Sequence, residues 1–188
     1  MKRIATVLLA VFTVSLIFII SCSKDNPENT DPLVGKYVIS SAKLTQPAMF
    51  GQDTLLPEGT DLTLAINAAL LSSATCSNPA NTRLELKNNG QIWYDCEGEN
   101  SGFQNGTWEV TSDRTSLSLA LNIPSPTGTG TITANLTISD LQESASQVSG
   151  NTQIPLPASF FAALGVDVSG FPNGIIPTLM SITITRMP

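Results

Sequence analysis

The chain has 188 residues, enough for one domain with a real core, and sets 9 Lys and Arg against 15 Asp and Glu for a net charge of −6. That balance argues against nucleic acid and against a polybasic membrane patch. It contains no histidine, which excludes Ser-His-Asp and Cys-His catalysis and the usual zinc sites; carboxylate-only chemistry remains possible. With 13% charged residues and abundant Ser, Thr, Asn and Gly, the composition suits an exported all-β protein.

Met1-Lys2-Arg3 is a positive start, and Ile4 to Ile20 is a long, mostly apolar run. Alone, such a run serves either as an export signal or as a membrane anchor. The residues after it decide: Ile19-Ile20-Ser21-Cys22 resembles the bacterial lipobox, with apolar residues, a small residue before the cut, then a cysteine. The motif implies cleavage before Cys22, diacylglycerol on its thiol and acylation of the new amino terminus. Three acyl chains on one cysteine make a durable tether where a single chain is marginal. Residues 1–21 then form the signal, and 22–31 the lipidated cysteine with a polar, Pro27-containing flexible linker. Loss of Lys2 and Arg3 brings the mature chain near −8. Ser23 after the cysteine resembles the pattern for the outer membrane of Gram-negative bacteria. Ser23-Lys24-Asp25 partly resembles a surface-export signal, so the periplasmic face and the cell surface both stay open.

Residues 32–188 form the expected folded domain. Pro32-Leu33-Val34 reads as a turn into a first strand ending near Leu44. Pro47, Gly51, Pro57 and Gly59 mark a loop, after which Asp61 caps a short amphipathic helix with Leu62, Ile66, Ala69 and Leu70 on one face and Asn67 well off it. A strand pair is the alternative there, since Leu62, Leu64 and Ile66 also alternate. Arg83 to Lys87 and Gln91 to Asp95 alternate with period two around Asn88-Asn89-Gly90, a hairpin signal. A three-residue loop with Gly90 left-handed places Leu84, Leu86, Ile92 and Tyr94 on one face, whereas a two-residue turn sets Trp93 beside Leu86; the first is favoured. Glu97 to Asn105 is a loop, Gly106 to Val110 a strand, and Ser116 to Asn122 alternates around Leu117, Leu119 and Leu121. A turn at Pro124 to Gly128 leads into Thr131 to Ser139, then a more polar strand, Gln142 to Asn151, expected at an edge. Phe160, Phe161 and Leu164 form a helical turn between Pro157 and Gly165, and Ser181 to Thr185 is the last strand. About eight strands at hairpin spacing, with no βαβ rhythm, make an antiparallel up-and-down β-barrel or a β-sandwich with one or two short helices.

Cys76 and Cys96 bracket the hairpin. In an exported chain they are expected to form a disulfide, stabilising the fold by about 3 kcal/mol through loop closure. A redox or metal-binding pair is the weaker reading, with no histidine and no Cys-x-x-Cys present.

Leu33-Val34-Gly35-Lys36-Tyr37, Cys76, the Leu84 to Ile92 strand-turn-strand, Cys96 and Gly106-Thr107-Trp108, behind a lipobox and polar linker, together resemble the bacterial lipocalin-like lipoproteins. The likeness covers Pro32 to Leu121 and reaches the rest only by strand pattern. Tyr37 stands where lipocalins usually carry Trp, and Thr152 to Leu179 is longer and more apolar than a hairpin loop. The resemblance implies an eight-stranded barrel whose interior either holds one small ligand or is filled by side chains.

The candidate sites follow. Leu84, Leu86, Tyr94, Trp108, Leu119 and Ile138 are the expected lining of a ligand-binding interior, with core packing as the plainer reading for the aromatic residues. Asp95, Glu97 and Glu99 gather carboxylates, but their spacing lacks a calcium-loop pattern, so no metal or cofactor is expected. Gly128-Thr129-Gly130 is a turn without the Lys or helix of a phosphate loop. Phe160 to Ile176 is an apolar stretch that must be core, lid or partner surface. No catalytic set emerges. The expected function is an outer-membrane, lipid-anchored binding protein for a small apolar or amphipathic molecule; the alternative is a non-catalytic envelope module with a filled barrel and a protein or glycan partner.

Overall fold

A computed structural model describes residues 30–124 and 130–187. Cys22, the signal, nearly all of the linker and most of the Pro124 to Gly128 turn lie outside the described residues. Pro32–Pro188 is a unit of its own, and its core is drawn from Leu33 through Ile184.

The strands are β1 (Gly35–Leu44), β2 (Ala48–Phe50), β3 (Asp53–Leu56), β4 (Thr82–Leu86), β5 (Gln91–Cys96), β6 (Phe103–Val110), β7 (Ser116–Pro124), β8 (Thr131–Glu143), β9 (Gln147–Pro157) and β10 (Ile175–Arg186). Two short helices, α1 (Thr63–Leu70) and α2 (Ala158–Ala163), and a 3₁₀ turn at Pro79–Asn81 complete them. Eight strands close an antiparallel barrel in the order β1-β10-β9-β8-β7-β6-β5-β4, and β2-β3 is a separate hairpin. The fold is therefore the expected barrel and not the sandwich. Among the described residues no helix is long and apolar enough to cross a membrane.

Closure follows from alternation. Leu84 and Leu86, Ile92 and Tyr94, Leu117, Leu119 and Leu121, and Ile182 and Ile184 all point inward and are buried, while Ser, Thr, Asn and Gln fill the outer positions. The β4-β5 turn is the three-residue form: Leu84 pairs Tyr94, Leu86 pairs Ile92, and Lys87 N–H donates to Gln91 at 2.9 Å, with Gly90 at φ 75°. Trp93 thus faces outward, with the Lys87 ammonium 5.6 Å from its ring centroid. Bulges in β1 between Ile39 and Ser41 and in β8 between Ser139 and Gln142 bend the sheet round.

The last strand meets the first from Tyr37–Arg186 to Leu44–Met180. Tyr37 Oη donates to the Leu33 carbonyl at 2.9 Å and accepts from Arg186 Nη2 at 2.6 Å. Arg186 also donates to the Pro32 carbonyl, and its guanidinium lies over the Tyr37 ring. This end, where β1 starts and β10 ends, is the base; the other is the crown.

Three expectations change. The Gln142 to Asn151 strand is not an edge: β9 pairs with both β8 and β10 because the barrel closes. The Pro47 to Gly59 loop contains the β2-β3 hairpin, whose strands are too short to show a period. Asn67 does not point away from the sheet; its Nδ2 donates to the Ile39 carbonyl at 3.0 Å and joins α1 to β1.

Candidate functional site

α1 sits at the crown over β1. The N-cap position is Leu62 and not the expected Asp61, and no side chain caps the helix there. Asp61, one residue earlier, accepts at Oδ1 from Thr63 N–H at 2.9 Å, and Leu62 N–H donates to the Ala42 carbonyl at 2.8 Å. Leu62, Ile66 and Leu70 are buried on its inner face. The Tyr94 hydroxyl rises from β5 to donate to the Leu70 carbonyl. Burial pushes the Tyr94 phenol up to about 12, with the Ser73 and Asn105 side chains pulling the other way.

All six residues expected to line the interior point into it and are buried. Leu84, Tyr94, Leu119 and Ile138 surround one apolar void, with Tyr37 and Leu136 among the other walls. Leu86 and Trp108 do not reach it; the Trp108 indole N–H is turned to the Lys87 carbonyl at 2.9 Å near the base. The void measures about 20 Å³, room for roughly one water by the usual minimum of about 10–15 Å³. Its walls are almost wholly apolar, so it offers a water few partners. Buried polar atoms without a partner among the described residues include Asn105 Nδ2 and Thr152 Oγ1.

The three carboxylates near the hairpin end are engaged separately. Asp95 pairs with Lys36 at 2.6 Å, Glu97 with Arg83, and Glu99 accepts from Ser77 N–H at 3.0 Å. Among the described residues no group of three or more Cys, Asp or Glu is placed to hold a metal ion. Cys76 and Cys96 form the expected disulfide, with Cα atoms 5.4 Å apart.

No protein-family model, curated protein or solved structure matches the chain.

Two features escaped sequence reasoning. One is an open groove of about 450 Å³ between α1 and the 3₁₀ turn, lined by Asn67, Ala68, Leu71, Ser72, Ala74, Pro79, Ala80 and Thr82. Small residues scattered over four segments leave no periodic signal for it. The other is at the crown's outer surface, where Met49, Phe50, Leu64, Leu164 and Ile175 are exposed. Phe50 and Phe171 stack there with ring centroids 4.0 Å apart, joining β2 to the segment after α2. Within the apolar stretch from Phe160, Phe161 and Ile176 are core and Ile175 is surface.

Proposed function

We propose that this chain is a lipid-anchored envelope protein whose barrel is a filled scaffold presenting a binding surface, with no catalytic role. The single observation that carries the reading is the interior void of about 20 Å³. Sites for small molecules run to roughly 300–1,000 Å³, more than tenfold larger. Attachment through Cys22 at the outer membrane rests on the lipobox resemblance, and the disulfide agrees with an oxidising compartment. The carboxylates nearest the hairpin end are each held by a separate partner, Asp95 by Lys36, Glu97 by Arg83 and Glu99 by the Ser77 N–H.

A small apolar ligand is the second reading, favoured by the apolar walls of the void beneath α1. It requires α1 to lift, breaking the bonds from Asn67, Tyr94 and Leu62.

Native mass spectrometry of the chain from residue 22 with Cys22→Ser, prepared from a bacterial periplasm, separates the two. A native mass equal to the bare chain, unchanged after exposure to a lipid and hydrophobic-metabolite mixture, is the expected result. A discrete co-purifying molecule would overturn the filled-scaffold reading. Labelling with a radioactive fatty acid tests the anchor: incorporation lost in Cys22→Ser is expected, and no incorporation in the natural chain removes it.

A further inference from the structure

We propose that the crown is the docking face and that its partner is a polypeptide presenting apolar side chains flanked by lysine or arginine. This names the partner for the scaffold reading above and rests on it.

The apolar part is a preformed platform. Phe50 from β2 stacks on Phe171 from the segment after α2, and a Cβ on Gly174 would lie 3.0 Å from Phe171 and 3.2 Å from Phe50. The two crown segments are therefore already fitted to one another before any partner arrives. Phe50 and Met49 nonetheless stay 37% and 39% exposed, and Ile175, next in sequence to Gly174, is 65% exposed. Exposed large apolar side chains at one end of a molecule whose outer wall is mostly hydroxyl and amide mark an interaction surface.

Charge selects the occupant. The crown connections 45–81, 97–102 and 158–174 contain no lysine or arginine. Asp53, Glu58, Asp61 and Asp167 lie on them and are exposed, and Asp53 stands directly across from Phe50 in the β2-β3 register. Lys87, Arg114 and Arg186 lie at the base; the cations nearest the crown are Lys43, beside Asp61 at the end of β1, and Arg83, which is already paired with Glu97. A second copy of this face would bring carboxylates against carboxylates, and an anionic bilayer would be repelled in the same way. An apolar centre with a predominantly negative fringe is complementary to an apolar centre with a positive one.

The test uses the chain from residue 22 with Cys22→Ser and labelled synthetic helical peptides of leucine with lysine and of leucine with glutamate. Fluorescence anisotropy should show the leucine–lysine peptide binding at least about tenfold tighter, with affinity falling as salt rises. Phe50→Ser with Ile175→Ser, and separately Asp53→Lys with Glu58→Lys, should each weaken it about tenfold, while Glu109→Lys on the barrel wall should not. Unchanged thermal melting in each variant keeps a folding defect from mimicking the result. Equal affinity for both peptides, indifference to the crown variants, dimerisation lost in Phe50→Ser, or crown-dependent binding to phosphatidylglycerol vesicles would each overturn the proposal. A bound small molecule in the native mass spectrum would instead overturn the scaffold reading, so the two failures are distinguishable.

Discussion

Gly106 has no room for a side chain. A Cβ there would sit 1.9 Å from the Ala120 carbonyl oxygen, and that oxygen is backbone in the β6-β7 ladder, so relief requires moving a strand. Gly106→Ala should lower stability by about 2–4 kcal/mol, read from the urea midpoint at constant slope. Tyr94 gives a pH-dependent prediction. Its phenol ionises near pH 10 in an unfolded chain and near 12 when folded. The stabilisation is therefore complete below pH 10 and is lost as pH rises toward 12, by about 2–3 kcal/mol. Tyr94→Phe forfeits the hydrogen bond to Leu70 but cannot ionise. It should be about 1 kcal/mol less stable than the natural chain at pH 7 and more stable near pH 12. Urea unfolding at the two pH values checks the reversal; an unchanged gap would show the phenol is not protected.

At the scale of elements, the disulfide holds the approach to β4 against the end of β5. Replacing Cys76 and Cys96 together by alanine should remove about 3 kcal/mol, measured against the natural chain under oxidising conditions. α1 is fastened to the barrel by few polar links, and Asn67→Ala leaves the Ile39 carbonyl without the side-chain bond it now accepts. Hydrogen exchange in α1 should accelerate while that of β7 and β10 stays unchanged. The elements differ in how plainly the sequence announces them. β4, β5 and β7 carry an unbroken period of two, and the requirement to gather four apolar side chains chose the correct turn between β4 and β5. β2 and β3 have three and four residues amid Pro and Gly, too few for a pattern. β8 and β9 were divided wrongly because Asp140, at φ 52°, sits in a bulge that breaks the alternation, and because the inward Thr152 looks like a surface residue. The residues of the interior were legible, but not its fullness. That depends on how Tyr37, Leu70 and Tyr94, from three distant parts of the chain, fill one space.

For the whole molecule, the ladder from Tyr37–Arg186 to Leu44–Met180 leaves no barrel strand with an open edge, which removes the surface on which sheets recruit one another. Much of this connectivity is non-local, and the seam joins residues 149 positions apart. Refolding of the disulfide-intact chain should take milliseconds to seconds, as for other topologies rich in distant contacts; stopped-flow fluorescence of Trp93 and Trp108 would record it, and microsecond folding would contradict it. The seam also sets a timetable. A chain delivered amino end first can pair β4 through β9 as neighbours emerge, but it has nothing to lay between β1 and β9 until β10 arrives. Until then it is an open sheet with unpaired edges and an exposed apolar interior, the kind of species that aggregates. Its hour of greatest danger is thus the interval before β10 is delivered, and a holding chaperone has most to protect there.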